Sequence, residues 1–259
     1  MIGKKSLYFL YRIFGIITPA FLLIFSFGCE TSYEVMSSSP AKLTPFLPDS
    51  NRLVAQKASF PFNRLWYDKK LDWERFKKIK IVPVDTSHIM EGTWWQKVNE
   101  AKLADMKKDI AYMAKYMKDA FVNAIKETPD CKLQIVDTAD DETLVLHLAL
   151  IELVPTKAFF NAAGNVAGFF IPGASLVNML NAGSVAMEAK ITDHKTGAVV
   201  AMFTDRETDH AAIINLKDLR WYSHAKAIID EWAASFAEMA SSEDPEDVTK
   251  SFPFSFISI

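Results

Sequence analysis

Apolar residues recur along this chain with two periods, and the changes between them mark out its elements. From Leu103 they step by three or four through Met106, Ile110, Met113, Met117, Phe121 and Ile125, with Lys and Asp filling the other face. That spacing makes one stripe of a long helix, which Thr128-Pro129-Asp130 stops. A second stripe, Trp221, Ala225, Ile228, Trp232, Phe236 and Met239, predicts a closing helix from about Leu216 to Met239. Residues 79–84, 133–136 and 144–151 are short apolar runs of β type. The last is apolar on both faces, which predicts a central strand covered on both sides or nearly so, with His147 as a hydrogen-bonded core histidine. Residues 183–193 and 198–205 form a hairpin. Val185, Met187, Ala189 and Ile191 share one face, and Ala186, Glu188 and Lys190 share the other. Asp193-His194-Lys195-Thr196-Gly197 makes the turn, with Gly197 placed for a positive φ. The order strand, helix, two strands, hairpin, helix predicts an α+β fold: a mainly antiparallel sheet, with a mixed one as the alternative, packed against two long amphipathic helices.

The pattern sets four boundaries: residues 1–28, a tether over 29–62, an α+β domain over 63–242 and a tail over 243–259. Ser37-Ser38-Ser39-Pro40 opens the tether, and Pro45, Pro48 and Pro61 interrupt regular structure. Phe60, Phe62, Leu65, Trp66 and Tyr67 are too apolar for free linker, so its last part is expected to pack on the domain, whose elements begin near Leu71. In the tail, Phe252, Phe254 and Phe256 alternate like an edge strand that something must cover.

Residues 1–28 stand apart. Lys4, Lys5 and Arg12 are their only charges, and an apolar run follows from Ile13 to Phe27. It has the length of a signal-peptide core and falls short of the roughly 20 residues of a spanning helix. A simple N-terminal membrane anchor is the alternative; it has to place Arg12 in the bilayer. Ser26-Phe27-Gly28-Cys29 resembles a lipobox, the cleavage and lipidation site of bacterial lipoproteins, with a small residue before the cysteine. Ser26 and Phe27 replace the Leu and small residue that pattern favours. The resemblance implies cleavage between Gly28 and Cys29 and a lipid anchor on Cys29. Glu30 after it implies sorting to the outer membrane, on the periplasmic face, with the inner membrane as the alternative.

Losing residues 1–28 removes three positive charges and no negative one, so the formal charge moves from −3 to about −6. A mildly acidic body argues against nucleic acid as a partner, because that binding rests on Lys and Arg neutralising phosphates. With Cys29 acylated, Cys131 is alone and no intramolecular disulfide forms.

Residues 159–182, FFNAAGNVAGFFIPGASLVNMLNA, contain no charge, and Pro172-Gly173 would break a spanning helix there. A buried connection is the plainer reading. Contact with a partner or another copy is the sharper one, with Phe159, Phe160, Phe169, Phe170, Ile171 and Leu176 as the candidate contact residues. Membrane insertion is a third.

Several motifs taken in order resemble the DUF3313 lipoproteins. They are residues 146–156 ending in Glu152-Leu153-Val154-Pro155-Thr156, the uncharged stretch, Met187-Glu188-Ala189, Asp193-His194-Lys195-Thr196-Gly197, Asp205-Arg206, and Trp221, Ala225 and Trp232. The similarity spans residues 65–240 and implies no assigned activity. The element order is also similar to that of penicillin-binding-protein activators and curli-secretion pores.

Five scattered histidines make no metal-ligand or catalytic spacing, and phosphate-loop and Gly-x-Ser-x-Gly motifs are absent. Asp205, Arg206, Glu207, Asp209 and His210 offer acid–base chemistry in principle, but such a run at a strand end reads first as a solvated turn or a local ion-pair set. Without a catalytic set, metal or cofactor, the expectation is a non-enzymatic, lipid-anchored envelope protein that binds another envelope protein or itself. A carrier of lipid or glycan is the alternative, and an oligomeric pore is a weaker one.

Overall fold

The computed structural model describes residues 39–91, 95, 100–129, 131–154, 183–208, 222–242 and 248–250. In chain order the strands are β1 (Val54–Ala55), β2 (Arg64–Tyr67), β3 (Lys78–Ile81), β4 (Gln134–Ile135), β5 (Thr143–Val154), β6 (Ser184–Asp193) and β7 (Val199–Thr208). The helices are α1 (Glu100–Glu127) and α2 (Ser223–Ser241). The strands make one sheet in the order β1-β2-β7-β6-β5-β3-β4. Pairing is antiparallel from β1 across to β5 and parallel between β5, β3 and β4, so the sheet is mixed. The parallel pairs follow from connectivity: the chain leaves β3, makes α1, and returns beside β3 as β4.

Both helices lie on one face of the sheet. Met106, Ile110, Met113, Met117, Phe121 and Ile125 are all buried, so the stripe and its methionines fill core. α2 contributes Ala225, Ile229, Trp232, Ala233, Phe236 and Ala237. Its expected start near Leu216, and Trp221, lie outside the described residues. Phe62, β7, α2 and α1 are joined by one series of rings. Phe62 and Phe203 are 4.5 Å apart, and Phe236 lies 5.6 Å from both Phe203 and Phe121.

The hairpin follows the sequence reading. Gly197 has φ +70° and donates to the Asp193 carbonyl at 2.8 Å. The Asp193 side chain is buried and caps the turn, accepting from the Lys195 amide and Thr196 Oγ1 and pairing with Arg75. Burial alone would push its carboxyl up, but these donors together hold it below the ordinary carboxylate value.

The chain before Leu71 departs from expectation. β1, β2 and a 3₁₀ turn at Ser50–Arg52 precede it and Leu47 is buried, while Phe60, Phe62 and Leu65 pack on the body as expected. A run as short as β2, with Arg64 leading, shows little alternation; pairing with β7 along Arg64–Tyr67 makes it a strand. The described part of the region read as tether, from residue 39 on, is therefore laid over the sheet. Val248 of the tail is buried as well. Phe252, Phe254 and Phe256 lie outside the described residues.

Candidate functional site

The expected site residues Gly28, Cys29, Phe159, Phe160, Phe169, Phe170, Ile171 and Leu176 all lie outside the described residues. The described chemistry sits elsewhere, on β5, β6 and β7, where charged side chains are buried on both faces of the sheet.

On the helix face, Asp205 is in phase with Ala201 and Phe203 and is 1% exposed. Its carboxylate accepts from Trp232 Nε1 at 2.7 Å and from the Asn63 amide at 2.9 Å. Burial pushes its carboxyl up against the pull of Lys250 and of those donors. Lys250 pairs with Glu207 and ties the tail to Ser59 through its own amide, 2.6 Å from the Ser59 carbonyl. Burial lowers the Lys250 ammonium while Asp205 opposes the change. Glu231, beside Trp232 in α2, buries Oε1 without a hydrogen-bond partner among the described residues. Burial first and the Asp205 charge second push its carboxyl up to about 7.

The opposite face shows how the sheet is covered on its second side. Glu188 is fully buried there and accepts from the Thr44 amide at 2.7 Å and from Thr44 Oγ1 at 2.6 Å. Burial raises its carboxyl, and the Thr44 donors oppose that. Lys190 donates to the Phe46 carbonyl at 2.8 Å and lies over the Phe46 ring. Ala41 and Phe46 pack on Ala149, Ile151 and Ala186. The expectation that 144–151 lies centrally and nearly covered on both sides matches this arrangement. His147 is half-buried, with Nε2 3.2 Å from Thr192 Oγ1, and burial lowers its imidazole.

A β-bulge completes this face. The register between β5 and β6 shifts between Leu150 and Glu152. Without the shift Glu152 would follow Leu144, Leu146, Leu148 and Leu150 into the core; the bulge turns it to the other side. There it accepts from Arg206 Nε at 2.8 Å and from Ser184 Oγ at 2.5 Å. Arg206 also donates to the Ser39 carbonyl at 3.4 Å, and its amide donates to Asn63 Oδ1 at 3.0 Å.

Of the two readings of the 205–207 run, the ion-pair set holds and the solvated turn does not: Arg206 pairs with Glu152 and Glu207 with Lys250. β7 continues to Thr208, so Asp205 and Arg206 are strand residues on opposite faces, each buried and bonded. Asp209 and His210 lie outside the described residues. The sequence carried a signal for the burial of Asp205: it stands two residues beyond Phe203 in an alternating run. Nothing in the sequence marks the pairing of Thr44 with Glu188, 144 residues apart.

These buried charges make a scaffold that fixes the Thr44–Phe46 segment, the tail and three strands together. Among the described residues no cluster is placed to hold a metal. An open depression lined by Ile125, Thr128, Cys131, Leu133 and Ile135 lies beside β4, four strands from Asp205.

An α+β body whose described residues form a seven-stranded mixed sheet with two helices on one face is the class that this architecture defines. Residues 43–236 match the family described as Protein of unknown function (DUF3313), and the chain belongs to that family. No curated protein matches it. Among solved structures it is similar to a PelC dodecamer from Paraburkholderia phytofirmans. The identity is 14%, covering 66% of this chain and 93% of that one, with a TM-score of 0.35. It is also similar to protein XCC0632 from Xanthomonas campestris, of the DUF330 family. There the identity is 10%, covering 64% of this chain and 82% of that one, with a TM-score of 0.30.

Proposed function

We propose that the protein is a lipoprotein of the bacterial envelope, acylated at Cys29, whose α+β body is a non-enzymatic interaction or assembly module facing the periplasm. The outer membrane is its proposed location. The observation that carries the reading is the apolar run from Ile13 to Phe27 ending at Gly28-Cys29, followed within ten residues by chain bonded to the body at Ser39. Two structural observations support this reading, one over an enzyme and one over a carrier. Asp205, Arg206 and Glu188, three of the buried charged side chains, are bonded to Trp232, Glu152 and Thr44. Large side chains occupy the space between sheet and helices, among them Phe62, Phe121, Met113, Met117 and Trp232, where a small-ligand carrier would need a pocket.

The interaction surface is assigned to the uncharged 159–182 stretch, with Phe159, Phe160, Phe169, Phe170, Ile171 and Leu176 as its contacts. The register makes a clean test possible, because Val154 and Ser184 are antiparallel partners that a tight Asn-Gly turn can join. A chain with 155–183 replaced by such a turn should fold with unchanged circular dichroism and lose the partners that co-purify with the native protein. Retention of those partners places the surface elsewhere.

A further inference from the structure

β4 is the last strand at one edge of the sheet. Its bonds to β3 use alternate residues: the Gln134 amide donates to the Lys77 carbonyl at 2.8 Å, and the Val136 amide to the Ile79 carbonyl at 3.0 Å. In such a ladder the residue between the two turns its N–H and C=O the other way, so the Ile135 backbone faces out from the edge. The Ile135 side chain stands beside that of buried Ile79 on the helix face, and Leu133, two residues earlier, shares that face.

The depression beside β4 has a volume of about 500 Å³ and is lined from two elements, Leu133 and Ile135 of the edge and Ile125 at the end of α1. Ile125 is buried, whereas Leu133 and Ile135 are only partly covered. The apolar layer between sheet and helix thus runs out one strand short of full cover. The charged residues in the lining are Lys126 and Lys132, both exposed, and neither has an ion-pair partner among the described residues.

We infer that this edge docks an extended strand of another protein, which pairs with the Ile135 backbone, sets an apolar side chain into the depression and turns a carboxylate to Lys126 or Lys132. Each part of the site selects one property of the partner. Backbone bonds along the edge need only an extended chain. The depression takes an apolar side chain from alternate positions, as the period of a strand requires. The two lysines select Asp or Glu by complementary charge. The outward N–H and C=O of Ile135 decide for a strand over a small ligand, because a strand continues the ladder there. This surface is separate from the 159–182 stretch, so the two can fail independently.

The probe is a displayed library of short random peptides, screened against the full chain in detergent. Enriched peptides should alternate apolar residues with Asp or Glu. Ile135→Pro removes the outward N–H and keeps the Gln134 and Val136 bonds to β3, so its circular dichroism should match the native chain. The Kd of the enriched peptides should rise about tenfold on that variant, the loss of one backbone hydrogen bond. It should rise several-fold on the double variant Lys126→Gln and Lys132→Gln, which alters only exposed side chains. Bound peptide should also slow alkylation of Cys131, which lines the depression, as read by peptide mapping. Replacing 155–183 with a turn should leave the binding unchanged. No enrichment, enriched peptides without acids, or equal binding to the native chain and both variants overturns the inference. If Ile135→Pro unfolds, the lysine variant and the protection of Cys131 decide it.

Discussion

Glu231→Gln should make the protein more stable at pH 8 and leave it nearly unchanged at pH 4.5. The carboxyl is held to about 7 in the fold, against an ordinary value of 4.5, because burial and the Asp205 charge both disfavour ionisation. A raised folded-state value means that the native state binds the proton more tightly than the unfolded chain does. This contribution is therefore fully present below pH 4.5 and is lost as pH rises through 7. At about 1.36 kcal/mol per unit the full shift would exceed 3 kcal/mol, but the side chain is only partly buried, and screening reduces the expected cost to about 1–2 kcal/mol. Glutamine keeps the shape without the charge, so it recovers that amount at pH 8, worth about 2–4 °C in Tm per kcal/mol for a domain of this size. Urea unfolding followed by tryptophan fluorescence at pH 4.5, 6, 7 and 8 measures it directly. The difference between the two proteins should grow with pH and level off above 7. A difference independent of pH, or a variant less stable at pH 8, refutes the assignment of a buried charge to Glu231. Asp205→Asn should shift the transition to lower pH, since the Asp205 charge helps hold the Glu231 proton.

Thr44→Val removes the hydroxyl donor to buried Glu188 and should cost about 1–3 kcal/mol. Limited proteolysis should show cleavage near residue 44 well before the core is cut. Gly197→Ala meets no atom within 4 Å, so its cost is that of the positive φ alone, about 1 kcal/mol in chemical unfolding, and Gly197→Asn should cost less.

Much of the fold is legible in the sequence because its longer elements are periodic. The α1 stripe from Met106 to Ile125 and the hairpin around Gly197 follow the expected residues closely. What escaped has physical causes. β2 is only four residues, and its partner β7 lies more than 130 residues further on, so no local pattern announces it. The bulge at Glu152 shows in the sequence only as a charge in phase with four leucines, which a reading without the partner strand cannot interpret. The expected strand 198–205 stops at its first acidic residue, although the alternation of Phe203 and Asp205 continues to Glu207. The cover supplied by Thr44 and Phe46 depends on a long-range contact between a proline-marked segment and two charged residues of β6. Composition makes such a segment look like linker.

The lipid anchor is the claim on which the rest of the functional account depends, and intact mass with membrane fractionation tests it most directly. The native protein should have the mass of residues 29–259 plus acylation and sediment with membranes, and Cys29→Ala should lose both the added mass and the sedimentation. A full-length, unacylated native protein that still sediments would contradict the account, marking residues 1–28 as an uncleaved membrane anchor and removing the argument for the outer membrane built on Glu30.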